Sequence, residues 1–456
     1  MRRCNFTIRA AFLPAVLFLA LSPLHVRAAT YIWTGSGGDS NWTTDANWDI
    51  GAPANPNTDT IQLDTNAVDN HSQINTDWQV GNIDLDTLGG GNFTHDIDLG
   101  SNTLTLANGI SRSGSYSGKN YANLIIHNGT LQLGKSGSSA NINLGDYHIH
   151  NELRCDPSGG ARINTFNVGS ISLSAYGASG APTARVDIRN AEVVGGTFEV
   201  GNLTLSHGGA MLMDTNTVIE KFFVRGTFDM PKGTSYSATF STLPGGVDFQ
   251  VGQPSADGAI KLPKGNTIDA EAGNGVFTAY LSTFQVGGTV DMSLMSSCIV
   301  DAADADVVIG DATVQNDGSL KLPPGTATFG SLSIGDSNKT GTLVLDRTFT
   351  TVNGNAAFNA GADITINVGA EDEIMIVEGV STFASGASIF IDFQVDPGEG
   401  VMHAGLKIKG DYVDELASVV TWDESELSDE VEIFKRPDGY TYVGIPPPKG
   451  TVFMLK

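Results

Sequence analysis

Closely spaced carboxylates are the first residues of this chain whose type and spacing could do chemistry. They occur in three predicted strands, at Asp84 and Asp86, at Asp96 and Asp98, and at Asp301, Asp304 and Asp306. Side chains alternate along a strand, so carboxylates at i and i+2 share a face and can bind Ca²⁺ or cleave glycosides. The chain has 50 acidic residues, so such pairs also arise by chance. We interpret them as solvated strand faces and predict no cofactor, with calcium at Asp301, Asp304 and Asp306 as the alternative.

Three tryptophans stand close together near the start of the chain. Trp33, Trp42 and Trp48 fall within 16 residues, in a chain with five tryptophans. Flat indole rings can stack on pyranose rings, which makes these side chains candidate glycan-binding residues. Aromatic side chains also bury about 150–250 Å² each, and a stack of strands needs its open end closed. We favour this second interpretation, a Trp-rich cap, and keep glycan stacking as the alternative.

Other residues with recognisable chemistry give weaker signals. His148 and His150 share a strand face, but the sequence offers no further ligand at a recognised metal spacing. Lys261, Lys264 and Lys321 lie in the similar phrases IKLPKG and LKLPPG. Polysaccharide lyases use a basic residue to abstract a proton, but this recurrence indicates a repeat pattern. We therefore assign no catalytic residue from the sequence.

The charge of the chain argues against two classes of partner. Its 50 acidic and 25 basic residues give a formal charge of −25. Nucleic acids and anionic membranes are themselves polyanions that recruit basic surfaces. We therefore predict no nucleic-acid partner.

The N-terminus has the three-part pattern of a secretory signal. Arg2, Arg3 and Arg9 precede an apolar run over residues 10–24, and cleavage is predicted after Ala28. The run is shorter than the ~20 residues of a spanning helix, and no later segment is longer and as apolar. We predict export to the cell surface or the medium, with the periplasm as the alternative, and no transmembrane segment in the mature chain.

A short phrase, aromatic-x-Val-Gly, repeats through most of the chain. Copies end at Gly169, Gly201, Gly252 and Gly287, and looser copies end at Gly226, Gly310, Gly330, Gly354, Gly379 and Gly410. The nine intervals average about 27 residues, a period typical of stacked architectures. Apolar residues alternate by two on both sides of the glycine, and the alternation changes phase there. We interpret the glycine as a corner between two strands, at a positive φ that Gly and Asn tolerate.

These repeats predict an all-β fold, a single-stranded parallel β-solenoid (right-handed β-helix) with a cap at each end. A stack of antiparallel sandwiches is the alternative, because a few Asn-Gly and Asp-Gly pairs could form hairpins. The one short helix is predicted at Asp414–Val420. Cys155 and Cys298 lie about five coils, roughly 24 Å, apart along the stack, beyond the ~7 Å of a disulfide. We expect both to be unpaired.

The segment from Tyr31 to Asp64 resembles the N-terminal segment of large exported bacterial β-helix proteins with autotransporter-type β-strand repeats. The resemblance rests on Trp33-x-Gly35, Asn41-Trp42, Asn47-Trp48, Pro53 and the run Asp59-Thr60-Ile61-Gln62-Leu63. It implies a secreted or cell-surface β-helix without assigned catalysis. Many members end in a Pro-Glu-Pro sorting tail, a pattern that the last residues of this chain do not show.

The expected organisation is a signal peptide over residues 1–28, a Trp-rich cap over 29–63, a β-solenoid over 64–410 and a C-terminal cap and tail over 411–456. The expected function is that of a non-enzymatic structural or adhesive protein of a bacterial envelope, in contact with polysaccharide or extracellular matrix. A carbohydrate-active β-helix enzyme, either a polysaccharide lyase or a glycoside hydrolase, is the alternative. A calcium-stabilised exported protein is the third hypothesis.

Overall fold

The computed structural model describes the chain from Ala28 to Pro446, with gaps. The segments outside the described residues are 1–27, 56–57, 65, 87–92, 113–120, 148–149, 157–159, 177–183, 207, 231–238, 256–257, 263–266, 270–274, 287–288, 310–316, 338, 370–374, 395–401, 424–430 and 447–456. The predicted signal peptide therefore lies outside the described residues, apart from Ala28.

The fold is a parallel β-solenoid of about 11 turns, with 61% strand and 2% helix. This confirms the predicted fold class, because the successive coils pair in parallel register and not as hairpins. Each coil carries strands on up to three faces, which we name A, B and C in chain order. One coil has Thr197–Val200 on face A, Asn202–Ser206 on face B and Ala210–Leu212 on face C.

The strands fall into four sets by face. Five strands run around the corner from face A to face B: Trp78–Asp86, Thr103–Ser111, Val276–Val286, Ser297–Ile309 and Gly325–Ile334. Face A alone has Thr130–Leu133, Arg162–Asn164, Glu192–Val193, Thr197–Val200, Lys221–Val224, Asp248–Val251, Thr348–Val352, Met375–Val377 and His403–Lys409. Face B alone has Thr30–Trp33, Thr60–Asp64, Ala140–Tyr147, Val168–Tyr176, Asn202–Ser206, Thr227–Asp229, Gly258–Leu262, Ala356–Phe358 and Ser381–Phe383. Face C has His71–Gln73, Phe93–Asp98, Tyr121–His127, His150–Cys155, Ala184–Asp187, Ala210–Leu212, Thr239–Phe240, Thr267–Asp269, Thr289–Asp291, Gly318–Leu322, Gly341–Asp346, Ala362–Val368, Ser388–Phe393 and Val420–Trp422.

The core runs through the middle of the coils as columns of like residues. Phe198, Phe222, Phe249 and Phe277 occupy one register position on face A in four consecutive coils, and all are fully buried. The rings of Phe198 and Phe222 stack with centroids 5.2 Å apart. Period-two alternation therefore produces the interior directly, because each buried residue packs on its counterpart in the next coil.

The glycine corners stack vertically, but for a different reason from the one predicted. Gly201 lies over Gly169 and under Gly226, and the N–H of Gly226 donates to the carbonyl of Gly201 at 2.7 Å. A Cβ on Gly201 would collide with the carbonyl oxygen of Gly169, and one on Gly379 with that of Gly354. None of these glycines has a positive φ. The expected left-handed conformation is wrong at these corners, and close approach of stacked backbones is the cause.

The repeat also slips in phase, which the even glycine spacing concealed. The phrase over 249–251 lies on face A, but the copy over 284–286 pairs with face B. Gly252 does adopt a positive φ of 72°. The coils themselves vary in length: Ile61 pairs with Ile83, 22 residues on, whereas Ile171 pairs with Leu203, 32 residues on.

Both ends of the stack are covered by chain that leaves the coil pattern. At the start, Trp48 bridges antiparallel to Trp33, and the N–H of Asp49 donates to the carbonyl of Ile32 at 3.1 Å. At the other end the hairpin Glu432–Lys435 and Tyr440–Ile445 pairs antiparallel with His403–Lys409. The last parallel strand of face A therefore has its edge covered.

Helix is confined to two short pieces of the described chain. They are a 3₁₀ turn at Asp45–Asn47 and an α-helical turn at Val413–Leu416. The sequence placed a short helix at Asp414–Val420, and the observed one begins one residue earlier and ends four residues earlier. In the part of the chain that the structure describes, no helix has the length and apolar character needed to cross a membrane.

Cys155 and Cys298 are both free and buried, which confirms that this pair forms no disulfide. Cys155 ends a face C strand, and Cys298 lies in the Ser297–Ile309 strand on face A. Burial raises the pKa of each thiol to about 12. Both behave as small core residues.

Candidate functional site

The tryptophans singled out from the sequence are packed against one another at the N-terminal end of the core. Trp33, Trp42 and Trp48 are 0%, 1% and 4% exposed. The ring of Trp48 meets those of Trp33 and Trp42 edge to face, with centroids 5.1 and 5.5 Å away. The indole N–H of Trp48 donates to the carbonyl of Trp42 at 2.8 Å. These indoles therefore offer no open face to a sugar ring, and they fill the end of the solenoid.

Asn47 organises the loop that carries these tryptophans. Its side chain is fully buried, and its Oδ1 accepts from the N–H of Gly37 at 2.6 Å. Its Nδ2 donates to Asp39 Oδ1 and to the carbonyl of Asn41, both at 2.9 Å. Hydrogen bonds from Thr44 and Asn41 lower the pKa of Asp39 to about 2, so this carboxylate is ionised at neutral pH. The polar residues of the segment thus act as structural connectors.

The acidic triplet that suggested calcium is divided by a corner. Asp301 pairs with Thr328 on face A, whereas the backbone of Asp306 pairs with Ser331 on face B. Asp301 is exposed, and its carboxylate accepts from the N–H of Ala303 at 3.3 Å. The side chains of Asp304 and Asp306 lie outside the described residues. Among the residues that are described, no group of three His, Cys, Asp or Glu stands close enough to hold a metal ion.

The two earlier acidic pairs differ from each other. Asp84 is 9% exposed on face B, so the expected solvated position is wrong for this residue. The side chain of its partner Asp86 lies outside the described residues. Asp98 accepts from Asn128 Nδ2 at 2.7 Å and from the N–H of Gly100 at 2.9 Å. These groups connect adjacent coils.

The other candidate positions add one ion pair. Lys321 Nζ lies 2.6 Å from Asp291 Oδ2, on neighbouring strands of face C. The side chains of His148, His150 and Lys264 lie outside the described residues. The lysine phrase therefore contributes a connection between coils at Lys321.

Face C carries the charge cluster that sequence reasoning missed. Its outward side chains form two adjacent columns over consecutive coils, one through Asp96, Arg154 and Asp187, the other through Asp98, His127, Asp156, Arg189 and Asp214. The pairing registers place Asp96 and Arg154 either side of Ile125, and Arg154 beside Asp187. We call these eight residues the face C strip. Its members are 24 to 33 residues apart along the chain between neighbouring coils, and only the coil register brings them together.

The first half of the strip is a histidine held between two carboxylates. His127 Nδ1 lies 2.8 Å from Asp156 Oδ2, and His127 Nε2 lies 3.2 Å from Asp96 Oδ1. The three side chains are 16–37% exposed. Both ring nitrogens therefore have a carboxylate partner, and the histidine joins three coils.

The second half of the strip lines a pocket of about 240 Å³. Its lining residues are Arg154, Asp187, Arg189, Asn190 and Asp214. The pocket is smaller than the ~300 Å³ lower end of sites for drug-sized ligands, so it suits a group the size of one sugar ring. All five side chains are polar and can form hydrogen bonds with hydroxyl groups.

Most of the polar groups around this pocket are fixed by partners. Arg189 Nε and Nη2 donate to the two oxygens of Asp187 at 2.9 and 2.6 Å, and Asp187 is 2% exposed. The hydrogen bond to Asp187 raises the pKa of Arg189. Asp214 Oδ1 accepts from the N–H of Asn190 at 3.1 Å. The pocket is thus preorganised by a bidentate ion pair and a capped turn.

Burial also raises the pKa of Glu152, which lies two residues before Arg154 on the same outward column side of face C. Asn190, at the rim of the pocket, has a φ of +61°, a conformation that asparagine tolerates. Comparison of the chain with protein-family models, with curated proteins and with solved structures gave no match.

Proposed function

We propose that this protein is an exported, non-enzymatic β-solenoid that contacts polysaccharide of a bacterial envelope or matrix through the face C strip. The observation that carries the proposal is the polar pocket at Arg154, Asp187, Arg189, Asn190 and Asp214 within a charged column. Adjacent strands lie ~4.8 Å apart, so the strip presents hydrogen-bonding groups at short, regular intervals. An extended glycan chain meets such a surface along its length.

The pairing of charges in the strip favours binding over catalysis. Asp187 is tied to Arg189, and His127 lies between Asp96 and Asp156. A general acid or base must be able to exchange its proton with a substrate, whereas these groups hold neighbouring coils together. The resemblance of residues 31–64 to exported bacterial β-helix proteins with autotransporter-type repeats also supports a structural or adhesive role. We propose the cell surface or the medium as the site of action.

A carbohydrate-active enzyme remains the second candidate, for one specific reason. Arg154 lies beside two carboxylates in a pocket, and a lyase or hydrolase acting on a glycan needs basic and acidic groups at one position. The two candidates differ in whether the bound chain is cut.

The test uses the chain without residues 1–28 and a panel of soluble neutral and acidic polysaccharides. Affinity electrophoresis measures retention of the protein by each polymer, and the same mixtures are assayed for new reducing ends and for unsaturated products. Retention with no product supports the adhesive proposal. Release of either product replaces it with the enzyme, and no retention by any polymer overturns it.

Export is tested separately by expressing the full chain in a bacterial host. We expect the mature protein to begin at Ala29 and to be found outside the cytoplasm. An intact N-terminus in the cytoplasm would contradict the proposed localisation.

A further inference from the structure

The pocket on face C contains one cation whose charge is not matched by a close partner. Arg154 makes no hydrogen bond or ion pair with any residue that the structure describes, and its side chain is partly buried. Arg189, the other cation, gives two hydrogen bonds to Asp187. The guanidinium of Arg154 therefore offers its donors to the pocket.

The remaining groups accept or donate single hydrogen bonds of the kind that sugars use. The Oδ1 atom of Asp214 holds the turn by accepting from Asn190 and Asn216, while Oδ2 has no hydrogen bond among the described residues. Carboxylate and amide side chains bind hydroxyl groups, and a guanidinium binds a planar carboxylate with two parallel hydrogen bonds. A sugar that carries both hydroxyl groups and one carboxylate matches this set.

Charge balance points the same way. Asp187 and Arg189 neutralise each other at a spacing of 2.6 Å, so this pair adds little net field to the pocket. The strongly negative chain repels polyanions at long range, but salt screens that repulsion beyond about 8–10 Å. Within that distance the nearest uncompensated cation dominates.

We infer that the pocket binds a uronic acid unit of a polysaccharide, with its carboxylate on Arg154 and its hydroxyl groups on Asp214 and Asn190. This inference rests on the proposed glycan-binding function and names its ligand class. It makes Arg154 the residue that distinguishes an acidic from a neutral sugar.

The test compares two probes that differ only in charge: oligogalacturonate and its methyl ester, measured by calorimetry against the mature chain. Wild-type protein is expected to bind the acid about 10- to 100-fold more tightly than the ester, because a hydrogen-bonded charge is lost in the ester. Arg154→Gln should bind the acid as weakly as the ester, and Arg154→Lys should lie between, since it keeps the charge without the fork.

Arg162→Gln is the matched control. Arg162 is on face A, 44% exposed and paired with Glu192, so its replacement removes one positive charge away from the pocket. It should leave acid binding unchanged, and melting curves establish that every variant is folded. Equal binding of acid and ester by wild type and by Arg154→Gln would overturn the uronate inference while glycan binding stands. Absence of binding to both probes, with retention by neutral polymers in the panel, also overturns it, and absence of all retention removes the proposed function as well.

Discussion

At the scale of single residues, this protein uses polar side chains chiefly to join one coil to another. Asn47, Asp98 and His127 each bond to groups that lie on other turns or loops. A buried polar group with every bond made is stable, but one that loses its partner is costly. The stability of the N-terminal cap should therefore depend on a few such groups.

Asn47→Ala tests this dependence. The change leaves the N–H of Gly37 and the carboxylate of Asp39 without their buried partner, so we expect a loss of about 3 kcal/mol in the free energy of unfolding of the cap. Thermal and urea melts followed by tryptophan fluorescence measure it. Asn108→Ala, at an exposed position with one side-chain bond, is the control and should change stability by less than about 0.5 kcal/mol. Equal effects of the two changes would contradict the assignment.

His95 gives the cap a pH dependence with a defined sign. The residue is fully buried against Trp33, and burial lowers its pKa from 6.5 to about 3. Between these values the unfolded chain binds a proton that the folded chain does not, so stability falls as the pH drops below 6.5. The expected slope from this group is about 1.4 kcal/mol per pH unit.

His95→Phe should remove that slope, as measured by urea melts between pH 6.5 and 4. His71→Asn replaces an exposed histidine of the same face and should leave the slope unchanged. A variant at position 95 with the wild-type pH profile would show that the buried imidazole is not the group that titrates.

At the scale of the strand and the corner, the steric fit of stacked backbones decides which glycines matter. Gly201 has no positive φ, yet its Cα faces a carbonyl of the coil below. Gly246 has a φ of +83° and open space around it. The two positions separate a steric requirement from a conformational one.

Gly201→Ala is therefore expected to destabilise the solenoid by more than about 3 kcal/mol, because a Cβ cannot fit without separating two coils. Gly246→Ala meets only the cost of a positive φ, about 1 kcal/mol. Chemical denaturation of both variants gives the comparison. The reverse order of stabilities would restore the conformational explanation that the sequence suggested.

The cysteines test the core of the same strands. Because both thiols are buried with a pKa near 12, the folded mature chain should resist iodoacetamide at pH 8. Unfolded in urea without reductant, it should gain two alkyl groups by mass spectrometry. Modification that appears only after reduction would contradict the free thiols.

The sequence was sufficient for the elements and insufficient for the site. Alternation at Phe198 and Val200 revealed a strand, and the recurring glycines revealed stacking, because both are local or periodic signals. The meeting of Arg154, Asp187 and Asp214 depends on which residue of one coil lies over which residue of the next. Coil lengths vary by up to ten residues, between 22 and 32, so a mean period could not give that register.

At the scale of the whole molecule, a single core extends from the tryptophans at one end to the hairpin at the other. Every coil contacts its neighbours through three rows of parallel hydrogen bonds, and the side chains outside the core vary from coil to coil. This arrangement separates the requirements of folding from those of binding. The strip on face C can change its chemistry while the interior columns stay the same.

The covered strand edges at the two ends have a further consequence for assembly. With Trp48 and Asp49 over the first face B strand and an antiparallel hairpin over the last of face A, another molecule cannot continue the stack by adding its own strands there. Copies of the protein would have to associate side by side. A layer built from them would resemble a palisade of separate posts whose flanks stay reachable by glycan threads passing between them.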